Sequence, residues 1–178
     1  MTNIDDLPSN QTGIDGMRDK IIEHLTTRFQ SYSDLADEVS DEMLLENLSV
    51  PKNKTLREHF WCVVGARESY TKAIEAGEWS GFNCSMQKVD KADVVEQLTA
   101  SAEAFERVVA NVDDWTDERD ELLTSLLEHE VMHEGQMIRH VYGLERSLPP
   151  TDQAFLAGIR PPATCQCAPA GRCRGRGP

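Results

Sequence analysis

The sequence predicts an all-α protein, a four-helix bundle with a longer connection between its second and third helices. Apolar residues recur every three to four positions through four long stretches, the spacing of helix faces. Capping and stop residues bracket those stretches. Hydrophobic residues make up 39% of the 178 but aromatics only 6%, which suits an aliphatic helical core better than a β-sandwich rich in Val, Tyr and Phe. The length fits one domain, and no internal repeat of solenoid period is present.

A polar extension, residues 1–13, precedes the first helix. Residues 14–39 read as that helix, with Ile14, Met17, Ile21, Leu25, Tyr32, Leu35 and Val39 on one side. DEMLLENL (41–48) either continues it after a bend or forms a short extra turn. Pro51 and Asn53 end that region. Thr55 with Glu58 three residues on makes a capping box that opens the second helix, and Gly77 is its natural stop. The segment 78–90 is the longer connection, with Asp90 as N-cap of the third helix. Val94, Leu98, Phe105 and Val109 mark a face of that helix. After the NVDDW turn, Thr116 opens the fourth helix, whose pattern persists to about Leu144 before Pro149 and Pro150 stop the chain. The bundle thus occupies residues 14–154. Residues 155–178 are basic, rich in Cys, Pro and Gly, and have little to bury, so disorder is expected there.

Net charge is −13. From Phe155 on the chain holds Arg160, Arg172, Arg174 and Arg176 and no acid, leaving 14 basic and 31 acidic groups in residues 1–154. A domain that negative repels phosphate backbones and anionic lipid, and no helix carries a basic stripe. Nucleic acid and membrane are therefore excluded as partners, and a small-molecule substrate is expected. MTNIDDLPSN lacks the basic and apolar regions of a signal peptide, and no apolar run approaches a bilayer's thickness, so the cytoplasm is the expected location. Five cysteines, an odd number at irregular spacing, argue against a disulfide framework. The Cys165/Cys167 pair lacks further ligands and reads as part of an inert tail.

The stretch HEVMHEGQ (129–136) carries the chemistry. The inward stripe of the fourth helix reads Leu122, Leu126, His129, His133, Gln136 or Met137, His140, Leu144, with steps of three and four. His129 and His133 thus take seam positions normally filled by leucine, where an imidazole costs free energy unless it finds a partner. Two histidines one helical turn apart can lean onto a single metal ion. A third ligand must come from elsewhere, and the second helix offers His59 and Cys62. Periodicity does not settle which of these faces inward.

HExxH also matches the zinc-peptidase motif, in which Glu130 would be the general base. The extended form places a glycine three residues after the second histidine and another histidine three further on. Those positions hold Gln136 and Arg139. His140 lies about 10 Å from His133 along an unbroken helix, too far to share the ion. No strand pattern is present to hold an extended peptide, so the match reads as incidental.

HxxxH followed by x-Gly-Gln resembles the last bundle helix of the DinB-like (YfiT-like) superfamily of metalloenzymes. The second helix, TLREHFWCVVGARESYTKAIEAGEW, is similar to that family's second helix, where a metal-binding histidine sits three residues before a glycine in a pattern like W-H-x-x-G-x-R. The resemblance implies a four-helix bundle, often a homodimer, with a divalent metal held by one residue of the second helix and two of the fourth. It also implies activities such as thiol-dependent transfer or isomerisation using a low-molecular-weight thiol. His129 and His133 match directly. In Trp61-Cys62-Val63-Val64-Gly65-Ala66-Arg67 the family's histidine is replaced by Cys62. The third ligand is then Cys62 as thiolate, or His59 one turn earlier, with zinc or nickel as the metal.

Two histidines and one second-helix ligand leave a coordination position open for water or a thiol. In this reading Glu130 or Glu134 shuttles the proton and Gln136 orients the bound molecule, although surface charge is the ordinary reading of Glu134. Two other functions fit the same residues: a hydrolase using metal-bound water, and a non-catalytic stress-response or binding bundle with a structural or degenerate metal site.

Overall fold

The computed structural model describes residues 11–87 and 90–148. Among them are five helices: α1 (Gln11–Glu38), α2 (Asp41–Leu45), α3 (Leu56–Ala76), α4 (Lys91–Val109) and α5 (Asp117–Gly143). The all-α expectation holds, with no strand among the described residues. The sequence's second, third and fourth helices are α3, α4 and α5, and DEMLLENL forms a separate short helix rather than a continuation of α1. Residues 1–10 of the expected extension, the Pro149–Pro150 stop and the expected disordered tail lie outside the described residues. No helix among the described residues is long and apolar enough to cross a membrane.

The boundaries follow from local chemistry. The Thr55 hydroxyl accepts from the Glu58 N–H at 3.2 Å, and the Glu58 carboxylate accepts from the Thr55 N–H at 2.8 Å. Two of the helix's unpaired donors are thereby satisfied. Gly77 ends α3 at φ 79°, a left-handed turn glycine adopts without strain, and its N–H donates to the Ala73 carbonyl. Asp90 and Thr116 cap α4 and α5 as expected, their side chains accepting from the N–H of Asp93 and Arg119. α1 begins three residues earlier than expected, at Gln11.

α3 packs against α4 and α5, and α1 packs against the same two helices. Two apolar clusters result. One gathers Tyr32, Leu35, Phe60, Val63, Leu98 and Met137. The other gathers Leu25, Phe29, Ile74, Phe105, Leu123 and Leu126. Arg67 lies where they meet, its guanidinium 4.0 Å from the ring centroid of Phe29 and 5.1 Å from that of Tyr32.

The connection after α3 lies directly on that helix, and Gly65 permits it. A Cβ at Gly65 would fall 2.2 Å from Phe82 Cζ and 2.9 Å from Cys84 Cβ. The Asn83 N–H donates to Ser69 Oγ at 2.8 Å, and the Ser85 N–H donates to the Glu68 carboxylate at 2.8 Å. The connection is long because it returns along α3 before entering α4.

Two expected stripes depart from the packing. On α1, Met17 is 64% exposed, whereas Arg18, Arg28 and Phe29 are buried. On α5, the buried positions are Leu123, Leu126, Glu130, His133, Glu134, Met137, His140 and Val141, and Gln136 is exposed. Leu126, His133, Met137 and His140 keep the expected seam, and the buried face is extended past them toward Glu130 and Glu134 rather than toward Leu122 and His129. Ion pairs account for the difference. Arg67 Nε and Nη2 donate to the two carboxylate oxygens of Glu130 at 3.0 and 2.9 Å, with both side chains fully buried. Arg28 Nη1 donates to Glu134 Oε2 at 2.7 Å. A carboxylate matched in this way can occupy a seam that a lone carboxylate could not.

Candidate metal centre

On the side of α5 that meets α3, His133 is buried and His129 half-buried. His129 and His133, one turn apart, bring their rings to a 4.5 Å centroid separation. Across from them Cys62 sits in the second turn of α3, half-buried, with Sγ 3.7 Å from His129 Nε2. One ligand atom each from Cys62, His129 and His133 lies within 4.8 Å of the others, so this cluster could hold a metal ion. One of the two expected α3 residues, Cys62, therefore belongs to the set.

His59, the other, is placed one step back. Its Nδ1 is 3.0 Å from His133 Nδ1, so one ring donates and the other accepts. His59 touches a ligand residue without joining the mutual set. The donor set, one thiol and two imidazoles, fits a divalent ion such as zinc. The other ring nitrogen of His129, Nδ1, is buried with no hydrogen-bond partner among the described residues.

The three residues open onto a cleft of about 510 Å³, lined also by Leu48, Val50, Met132, Gln136 and Arg139. Gln136 reaches the cleft, as its expected role requires. Glu130 does not. Its carboxylate is held in the core by Arg67, one turn along α3 from Cys62, and neither it nor Glu134 lines the cleft. A residue directly after a histidine on a helix points about 100° away from it, so the proton-shuttle expectation for Glu130 and Glu134 fails on direction. Burial pushes the Glu130 carboxyl up and Arg67 pulls it back down.

Sequence reasoning missed four contributors. Arg67 and Arg28 hold the carboxylates, and Tyr32 donates its hydroxyl to the Glu130 carbonyl at 2.6 Å. The fourth is His140, which is a tether rather than a ligand. Its Nε2 donates to the Glu46 carbonyl at 3.0 Å, leaving Nδ1 as acceptor toward Asn53 Nδ2 at 3.4 Å. It thereby fixes the loop before α3 to α5. Only its seam position hinted at burial, and nothing in the sequence pointed to the loop.

Burial lowers the pKa of all three site histidines. His133 falls to about 3, through desolvation first and then the neighbouring His129, His59 and Lys54. His59 falls to about 4, through desolvation and then Lys54 and His140. His129 is lowered by desolvation, then by Lys54 and Arg67. Neutral imidazoles are the form that binds metal. In an unfolded chain these rings titrate near pH ~6.5, so below that pH the unfolded state takes up protons that the folded state refuses. Their contribution to stability is complete above that pH and is lost as pH falls toward the folded values. Metal-free protein is expected to show a thermal midpoint that drops between about pH 6.5 and pH 4. The drop should be shallower in His133→Gln, and parallel curves for the two proteins would contradict the assignment.

No protein-family model matches this chain, and no curated protein matches it.

Proposed function

We propose that this chain is a metal-dependent enzyme of the DinB-like type, a four-helix bundle that uses a low-molecular-weight thiol to transfer or isomerise a small molecule. The convergence of Cys62, His129 and His133 at the edge of an open cleft carries the reading. Three ligands rather than four suit a reactive site more than a structural one, and a Cys/His₂ set suits zinc, with nickel as the other candidate. An ion held there supplies Lewis acidity, lowering the pKa of whatever water or thiol it binds.

The surrounding side chains favour thiol over water. Among the described residues no Asp or Glu lines the cleft, and both carboxylates of the HExxHE stretch are held by arginines. A hydrolase needs a base for a reluctant nucleophile, whereas a thiol, with a pKa of about 8.5, needs far less help. His59 holds the His133 ring, leaving His133 Nε2 as its ligand atom. Gln136 contributes a carboxamide to orient the bound molecule.

The test is spectroscopic. Cobalt(II)-substituted protein should show a sulfur-to-metal charge-transfer band from Cys62 that intensifies when glutathione is added. A band unchanged by excess glutathione would remove the thiol reading. The homodimer is part of the same proposal. Val131 and Tyr142 are exposed on α5 together with Gly135, where an added Cβ would meet nothing within 4 Å. Light scattering at high micromolar concentration should give twice the chain mass, and a monomer mass would exclude pairing.

A further inference from the structure

The cleft beside Cys62, His129 and His133 has a charge opposite to that of the molecule around it. The chain has 31 acidic and 18 basic residues. Yet Lys52, Lys54 and Arg139 line this cleft, and among the described residues no acid does. None of the three forms an ion pair with another described residue, whereas Arg18, Arg28 and Arg67 elsewhere are all paired. All three are exposed on the cleft wall, where they give it a positive charge that an anion would answer.

The backbone adds a second sign. Lys52 has φ 58°, a left-handed conformation that glycine or asparagine adopts at lower cost. A lysine is held there despite the local strain, and such strain gathers at ligand sites. His140 fixes this loop through Glu46 and Asn53, so the lysines are anchored relative to α5. Lys54 lines the same cleft as Cys62, His129 and His133. At the adjacent start of α3 the capping box occupies the Thr55 and Glu58 N–H groups. Contacts to an anion in this cleft would be those of the side chains.

We propose that the cleft binds a small oxyanion-bearing molecule, a carboxylate or a phosphate ester, with its anionic end against Lys52, Lys54 and Arg139. Its reactive end then lies toward Cys62, His129 and His133, and this orientation rests on the function proposed above. Leu48, Val50 and Met132 give the cleft an apolar part, so the bound molecule carries a short hydrocarbon segment as well. The acidic surface outside the cleft repels polyanions, which confines the site to small ligands.

Isothermal titration of the full chain at low salt, with inorganic phosphate and with succinate as separate probes, tests this. At least one probe should bind the wild type. The triple variant Lys52→Gln/Lys54→Gln/Arg139→Gln should bind it about tenfold more weakly or worse, through the loss of three charge-assisted contacts. Lys72→Gln/Arg107→Gln, which neutralises cations lining a different cleft, should bind as the wild type does. Circular dichroism of each variant establishes that it is folded. Preference for phosphate points to a phosphate ester, and preference for succinate to a carboxylate. Failure of both probes to bind the wild type, or equal binding by the triple variant, would overturn the proposal. Metal content of the same samples separates the two readings. Bound metal without anion binding sinks this inference alone, and anion binding without metal sinks the metalloenzyme alone.

Discussion

Replacing His133 with alanine is expected to reduce bound metal from about one ion per chain to a trace, because a site of three protein ligands does not survive on two at ordinary metal activity. Cys62→Ala should do nearly the same. Its sulfur is the α3 member of the ligand set, 3.7 Å from His129 Nε2. His59→Ala should behave differently. It removes the hydrogen-bond partner of His133 and leaves all three ligands in place. Loss of such a supporting contact weakens metal binding by about 10- to 100-fold. Saturating metal should therefore restore full stoichiometry in His59→Ala and in neither of the others. Elemental analysis after dialysis against buffered zinc reads all three variants. Wild-type stoichiometry in His133→Ala would dismiss the site, and a permanent loss confined to His59→Ala would exchange the roles of the two α3 residues.

The second large effect falls on stability. Arg67 and Glu130 are both fully buried and joined by two parallel hydrogen bonds. Arg67→Met strands the Glu130 carboxylate in the core and should cost about 3–5 kcal/mol, as breaking one side of a buried ion pair does. Glu130→Leu should be similarly harmful, since it strands the guanidinium against Phe29 and Tyr32. The double variant Arg67→Met/Glu130→Leu should be markedly more stable than either single variant, because no uncompensated charge remains. Urea unfolding of the four proteins measures this. Single-variant losses that simply add in the double would mean that the two side chains act independently.

These ion pairs also mark where the sequence stops being legible. Helix ends were readable because they are decided locally. Thr55 and Glu58 are three residues apart, Gly77 adopts its own φ, and Asp90 and Thr116 each serve an N–H three residues on. The extension of the buried α5 face to Glu130 and Glu134 was not readable. It depends on Arg67, 63 residues before Glu130, and on Arg28, 106 residues before Glu134. Hydrophobic periodicity treats a glutamate as a surface residue, so Glu134 was read as solvent charge and Glu130 as a catalytic group. The imidazoles were found for a different reason. His129 and His133 share a face at spacing four whichever way the helix is turned, and that spacing alone raised the question of metal. Choosing between His59 and Cys62 needed the relative height of α3 and α5, which no single-helix pattern contains.

Each histidine of the site is followed by a glutamate about 100° further round the helix. One flank of α5 therefore carries the candidate ligands, and the adjoining flank carries the ion pairs to Arg67 and Arg28. Such a division lets the two flanks vary under separate selection. Residues on the cleft side can change while the scaffold keeps its attachment points. A lineage built this way can exchange one metal or reaction for another with little danger of unfolding in between. For protein engineering, the corresponding starting points are Cys62, His129 and Gln136, with Glu130 and Glu134 left untouched.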